Sequence, residues 1–264
     1  KQNLMFKNII TIISSAAIIL LSSCTKNESS TSIGDAESSV SLTNVNGSSK
    51  TVDFFINGEK KKLAGTVATN GTILGTYVGL GNSTSNTISL NDATVTTTEY
   101  FTGSFTTEPG KAYSFFAYDT LIAGTLKGIL LNTNRTIPTG DVLTANVRFL
   151  NFSAKSPALE LWLVRRVGGV AKDSVNIGNQ PYLGSVASPN ITTLSAYTNV
   201  KSSEVAGSAG AGVAASDFLI RLKIAGTNTI VSTSAATNIV PGRNYTIFAR
   251  GTYPSSAVTL LLNN

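Results

Sequence analysis

Histidine is absent from the 264 residues, and cysteine, methionine and tryptophan occur once each. Without histidine there is no Ser-His-Asp triad, no Cys/His nucleophile pair, no imidazole metal ligand and no general base of the usual kind. One cysteine cannot form an internal disulfide, so the body must be held by its core alone, which a chain of this length allows. Charge is scarce as well: Asp, Glu, Lys and Arg make up 13% of the chain, against about a quarter in an average domain. Ser, Thr, Asn and Gly take their place, giving the neutral, hydroxyl- and amide-rich surface common in exported β proteins. The formal charge is +6, but the basic residues are scattered. The densest runs, Lys60-Lys61-Lys62 and Arg165-Arg166, read as solvated turn-flanking clusters, so no nucleic-acid partner is expected.

What is present begins with an export signal. Lys1 and Lys7 form a positive flank, and Ile9 to Leu21 is apolar apart from a few Ser and Thr. As a helix that run measures about 20 Å, too short for a hydrocarbon core of about 30 Å. It therefore reads as the apolar region of a signal peptide spanning 1–23. Leu21-Ser22-Ser23-Cys24 resembles the lipobox of bacterial lipoproteins, with cleavage between Ser23 and Cys24 and acylation of the Cys24 thiol. Several acyl chains anchor stably where one binds only marginally. The polar stretch that follows, completing a segment 24–38, reads as a flexible tether. No Asp follows Cys24, which favours the outer membrane; periplasmic and cell-surface faces both remain open. Membrane lipid is thus the one expected partner of defined chemistry.

The remainder is written twice. Val40–Val45 followed by Val52–Ile56 aligns without a gap on Val147–Phe152 followed by Leu159–Leu163, pairing Asn44 with Asn151 and Asp53 with Glu160. Pro109-Gly110-Lys-Ala-Tyr113 aligns on Pro241-Gly242-Arg-Asn-Tyr245, and a closing apolar strand follows each. Four elements in one order predict a duplicated domain, 39–134 and 135–264. Short β-branched and aromatic stretches between turn formers predict strands throughout. Asn57-Gly58 predicts a type I′ hairpin returning Val52–Ile56 against Lys62–Ala68, and each Pro-Gly pair predicts a type II turn. Ser41 and Thr43 are expected to face outward, and the alternation slips at Leu150, which allows a bulge or twist there. Aromatics on both faces of 111–118 predict a doubly covered strand or one at a domain interface. The excess length of the second half falls between Gly168 and Ser216, where Ala206–Ala215 reads as a surface loop, with a small-residue helical turn near Gly212–Ser216 as the alternative.

On these residues, with Val-Asp-Phe-Phe-Ile-Asn-Gly at 52–58, the chain resembles the DUF4397 domain family, found in exported bacterial proteins and often in tandem in lipoproteins of the Bacteroidetes type. The family's aspartate is kept as Asp53, whereas Glu160 replaces it in the second half. Arg165 stands where Gly58 does, so the second hairpin must differ. The resemblance implies tandem immunoglobulin-like β-sandwiches and export; the family has no established activity and so implies no chemistry.

Little else points to chemistry. Gly75–Gly81 lacks the lysine and spacing of a phosphate loop. Asp92, Asp119, Asp141 and Asp173 lie singly near turns, where capping is the ordinary role and a structural calcium the alternative; no other cofactor or metal is expected. Asp53 and Glu160, in equivalent positions, suggest a shared structural task. Trp162 is expected in the core or at an interface, as its counterpart Phe55 would be. Tyr77, Tyr182 and Tyr197 are the candidate ligand-contact aromatics. The sequence thus predicts a non-enzymatic, lipid-anchored envelope protein that binds a protein or glycan or serves as a spacer. The rival is a glycan-directed hydrolase using two convergent carboxylates.

Overall fold

The computed structural model describes residues 37–48, 50–61, 72–73, 77–95, 97–122, 124–135, 143–202 and 216–263. Glu37–Asn264 form one compact unit. The signal, Cys24, most of the tether, the expected partner segment Lys62–Ala68, Asp141 and the small-residue loop 206–215 lie outside the described residues.

The first half contributes β1 (Ser38–Asn44), β2 (Val52–Ile56), β3 (Glu59–Lys60), β4 (Thr72–Ile73), β5 (Val78–Gly81), β6 (Ser85–Asp92), β7 (Glu99–Thr106), β8 (Ala112–Ile122) and β9 (Thr125–Thr133). The second contributes β10 (Thr144–Asn151), β11 (Leu159–Val167), β12 (Val170–Gln180), β13 (Thr198–Lys201), β14 (Ser216–Ile224), β15 (Ile230–Thr233), β16 (Asn244–Arg250) and β17 (Ala257–Leu262), with a 3-10 turn (Leu183–Ser185) and a short α-helix, α1 (Ile191–Ser195). β1 opens at Ser38, the last residue expected in the tether. As the composition predicts, the chain is predominantly strand.

Each half is a pair of sheets. In the first, β3-β2-β6-β7 faces a sheet ordered β4-β1-β8-β9, with β5 extending the β4 edge of β1. In the second, β12-β11-β14-β15 faces β13-β10-β16-β17. The repeat read from the sequence is a repeat of pairing: β1 runs parallel to β8 with Val40 opposite Tyr113 and Asn44 opposite Ala117. β10 runs parallel to β16 with Val147 opposite Tyr245 and Asn151 opposite Ala249.

The matched residues explain why both halves fold alike. Asn44 and Asn151 are fully buried, and their side-chain oxygens accept from the backbone N–H of Asn46 and Ser153 at 3.2 and 3.1 Å. Such Asx turns steer the chain out of one sheet toward the next. The Pro-Gly turns place Gly110 and Gly242 at φ 72. The following tyrosines lock them: Tyr113 Oη accepts from Glu108 N at 2.8 Å and Tyr245 Oη from Val240 N at 3.0 Å.

Three apolar layers alternate with the four sheets. One core joins Val40, Leu42, Phe54, Leu90 and Phe115 inside the first half, and a second joins Val147, Phe149, Leu161, Phe218 and Ile247 inside the second. The third lies between the halves, joining Phe116, Tyr118 and Leu131 to Leu150, Phe152 and Phe248. Sheets β4-β1-β8-β9 and β13-β10-β16-β17 are therefore inner sheets, covered on both faces.

That arrangement corrects one expectation and narrows another. Ser41 and Thr43 do not face solvent but are buried in the seam. No bulge occurs at Leu150, where β10–β16 pairing is continuous; Leu150 follows Phe149 because each serves a different apolar layer. Doubly buried strands lose the alternation that reading one face from sequence depends on. The interface role expected of 111–118 is as observed. Asn57 and Gly58 take φ 52 and 82 and return β2 against β3, as a type I′ turn requires. In the second half the turn moves to Gly168-Gly169, at φ 57 and 80.

Candidate functional site

The seam between the halves is built from equivalent residues meeting one another. Phe116 and Phe248 hold the same place in the two repeats, and their rings lie 5.8 Å apart, edge to face. Gly47 and Ala154 are also equivalent; a Cβ on Gly47 would stand 3.1 Å from that of Ala154. This is the pattern of an isologous, two-fold interface, made here within a single chain.

One charged residue breaks the symmetry. Arg148, equivalent to Ser41, is 2% exposed. Its Nε donates to Thr246 Oγ1 of its own half at 2.7 Å, while Nη1 and Nη2 donate to Asn132 O and Thr133 Oγ1 of the other at 2.6 and 3.4 Å. Burial pulls its pKa down from the usual arginine value, yet the fork makes hydrogen bonds to both halves at once. Sequence reasoning missed it. The available signal was an arginine inside a strand whose two faces both carry apolar residues.

All three candidate tyrosines lie at this seam. Tyr77 and Tyr197 precede equivalent edge strands. Tyr77 Oη donates to Asn263 O at 3.4 Å, Asn263 Nδ2 donates to Tyr197 Oη at 3.1 Å, and the Arg148 guanidinium sits 5.0 Å from the Tyr197 ring centroid. Arg135 covers Tyr77 at 4.4 Å. Tyr182, 8% exposed, donates its hydroxyl to Asp119, which also pairs with Lys127 at 3.1 Å. Burial and then the Asp119 carboxylate push the Tyr182 pKa well above the usual phenol value. Asp119 sits at φ 85 where the second half has Gly251 at φ 86, so the first half accepts a conformation unfavourable to a side chain in order to hold that contact.

Asp92, Asp173 and Asp53 are each engaged locally. Asp92 caps its turn, accepting from Thr94 N and Oγ1 at 2.7 and 2.6 Å and from the Tyr100 hydroxyl. Those bonds, Thr94 first, hold its carboxyl far below the usual range, and the same carboxylate pushes Tyr100 up to about 12. Asp173 pairs with buried Arg165, and Asp53 with Lys60. Among the described residues no three His, Cys, Asp or Glu side chains gather as a metal site would require. Turn capping is the observed role of Asp92.

Trp162 departs from expectation. It stands on the solvent face of β11, half-buried and outside the core. Its indole N–H donates to Glu160 Oε2 at 2.9 Å; Glu160 also accepts from Asn176 Nδ2 at 2.6 Å and from Gly226 N at 3.0 Å. Lys223 Nζ lies 4.6 Å from the ring centroid. The residue reached this face because β11 alternates, with Leu159, Leu161 and Leu163 filling the core between the sheets of the second half. Phe55 occupies the same outer position on β2, where it too is only half-buried. A fixed aromatic among cations on a sheet's open face is the feature of the described residues most suited to bind a ligand.

No curated protein matches the chain. Residues 38–162 match the family described as "Domain of unknown function (DUF4397)", a stretch running from the first residue of β1 through the first half and into the middle of β11. A DUF4397 domain is present in this chain.

Proposed function

We propose that the protein is an exported lipoprotein, anchored through Cys24 in the outer membrane, whose tandem sandwiches form a non-enzymatic binding module. The observation that carries this reading is the seam: three stacked apolar layers and Arg148 make the two halves one body. The outer sheets then form the opposite ends of that body, available to partners. A rigid module presents a binding face at little ordering cost. The N-terminal pattern supplies the anchor, and the thirteen residues from 25 to 37, ahead of β1, reach at most about 45 Å from the membrane surface.

The sandwich type belongs to the same proposal. The tyrosine locks of Tyr113 and Tyr245 resemble the tyrosine corner of immunoglobulin-like domains. The strand order differs from the constant-type pattern, because the opening strand lies beside the penultimate one rather than the second. The hydrolase alternative draws no support from the geometry, since Asp53, Asp92, Asp119, Glu160 and Asp173 are each engaged in a separate local contact.

Mass spectrometry of the N-terminal peptide, paired with protease treatment of intact cells, tests the anchor. An acylated Cys24 is expected, together with loss of membrane association in Cys24→Ala. An unmodified Cys24 in membrane-extracted protein overturns it. Shaving of the body from whole cells would assign the external face, and protection until the outer membrane is breached the periplasmic one.

A further inference from the structure

We infer that the open face of sheet β12-β11-β14-β15 binds a saccharide bearing an anionic substituent, with Trp162 stacking on the sugar ring and Arg221 and Lys223 pairing with the anion. The inference rests on the binding-module reading and gives that module a ligand class.

Three observations converge on the face. First, Trp162 has its edge fixed by Glu160, which is itself held by Asn176 and the backbone of Gly226. The indole plane is therefore preset, as a stacking platform requires. Second, Arg221 stands directly opposite Trp162 on β14, and Lys223 opposite Glu160. Neither forms an ion pair with a described residue, and Arg221 Nε is buried without a hydrogen-bond partner. A buried donor left unpaired costs free energy of about 1–3 kcal/mol; a turn of the half-buried Arg221 side chain toward a bound oxyanion would bring Nε its acceptor. Third, the equivalent positions of the first half are Phe55, Ser89 and Asn91. Two copies of one sheet have diverged at one spot, and the divergence adds a larger aromatic surface and two cations together.

The ligand follows from that chemistry. The apolar face of a pyranose matches an indole ring, while a ring carboxylate or sulfate beside it meets the planar guanidinium fork of Arg221. Lys223, now over the indole, moves a short distance to complete the anion pair; exposed cation–π contacts are worth only about 0.5–1 kcal/mol and do not hold it there. Asn176, across the strand on the other side, offers a polar edge for sugar hydroxyls.

Affinity electrophoresis and calorimetry of the intact protein would test this with four polymers: polygalacturonate, dextran sulfate, neutral dextran, and polyacrylate as a polyanion without rings. Retardation by one of the acidic polysaccharides, at least tenfold stronger than by neutral dextran or polyacrylate, is expected. The double variant Arg221→Gln/Lys223→Gln leaves the apolar cores intact and should weaken binding at least tenfold. Trp162→Ala should do the same while melting as a folded protein, whereas Phe55→Ala on the other outer face should bind normally. No preference for either acidic polysaccharide, or binding impaired in Phe55→Ala but not in Trp162→Ala, overturns the inference. Neither result touches the state of Cys24, which alone tests the anchor.

Discussion

The two halves agree where the chain must turn and differ where it meets something. Asn44 and Asn151, the Pro-Gly turns, and Tyr113 and Tyr245 keep the same bonds to the same backbone positions. Phe116 and Phe248 even meet each other. By contrast Ser41 becomes Arg148, Asp119 replaces the glycine at 251, and Phe55 with Ser89 becomes Trp162 with Arg221. Residues shared by both copies therefore report how the sandwich is built. Residues that differ report what each copy does: hold its neighbour, in the case of Arg148 and Asp119, or face outward, in the case of Trp162.

The comparison can be broken most forcefully at the seam. Phe152 is fully buried and packs against Phe116, Tyr118 and Phe248, so it touches both halves. Phe152→Ala should lower stability by about 3–5 kcal/mol, and calorimetry should show a single transition moving downward. Two transitions, only one of them shifted, would mean the halves unfold separately and the seam is a contact between independent domains. Phe55→Ala, on an outer face, should cost less than half as much.

A subtler test makes the second half copy the first. Arg148→Ser places the residue of Ser41 at the equivalent site. Asn132 O then loses its side-chain donor, the Thr133 and Thr246 hydroxyls lose the guanidinium but keep their bonds to Ser114 and Asn263, and a void opens at the seam. The loss should be about 2–3 kcal/mol, read by chemical denaturation. Arg148→Met removes the same charge but fills the void with an apolar side chain of similar length, so it should recover part of that loss. Equal losses for the two variants would mean that packing plays no part in what Arg148 does.

How much of this the sequence held depends on how many neighbours a residue answers to. Turns were legible because Asn57-Gly58, Pro109-Gly110 and Pro241-Gly242 set φ from within their own dipeptides. The repeat was legible because four aligned elements need no partner to be recognised. The burial of Ser41 and Thr43, and the continuous pairing at Leu150, depend on a second sheet packed across the outer side of the first, which local alternation cannot report. Trp162 was misjudged for the opposite reason: bulk and apolarity suggested the core, whereas its strand phase, fixed by Leu159, Leu161 and Leu163, put it outside. In the sequence Tyr77 and Tyr197 are only aromatics near loops or strand ends; their common place in the repeat emerges from the β1–β5 and β10–β13 registers.

The smallest effects should come where the halves agree best. Tyr113→Phe and Tyr245→Phe each remove one hydroxyl that accepts from a turn N–H, at Glu108 and Val240. Each should cost about 1 kcal/mol, the net value of one hydrogen bond. Since both bonds bind the same turn to the same strand, the two losses should match within about 0.5 kcal/mol and add in the double variant, as distant sites do. The seam tyrosine Tyr118 should behave differently. Burial pushes its pKa up to about 12, so the neutral phenol stabilises the fold fully below the unfolded value near 10, and that contribution fades as pH rises from 10 to 12. Tyr118→Phe should flatten this alkaline limb of the stability profile, since phenylalanine cannot ionise, while changing stability at pH 7 far less. A steep alkaline loss persisting in Tyr118→Phe would move its origin to Tyr182 or Tyr100, and so from the shared apolar layer to a contact that only the first half's carboxylates provide.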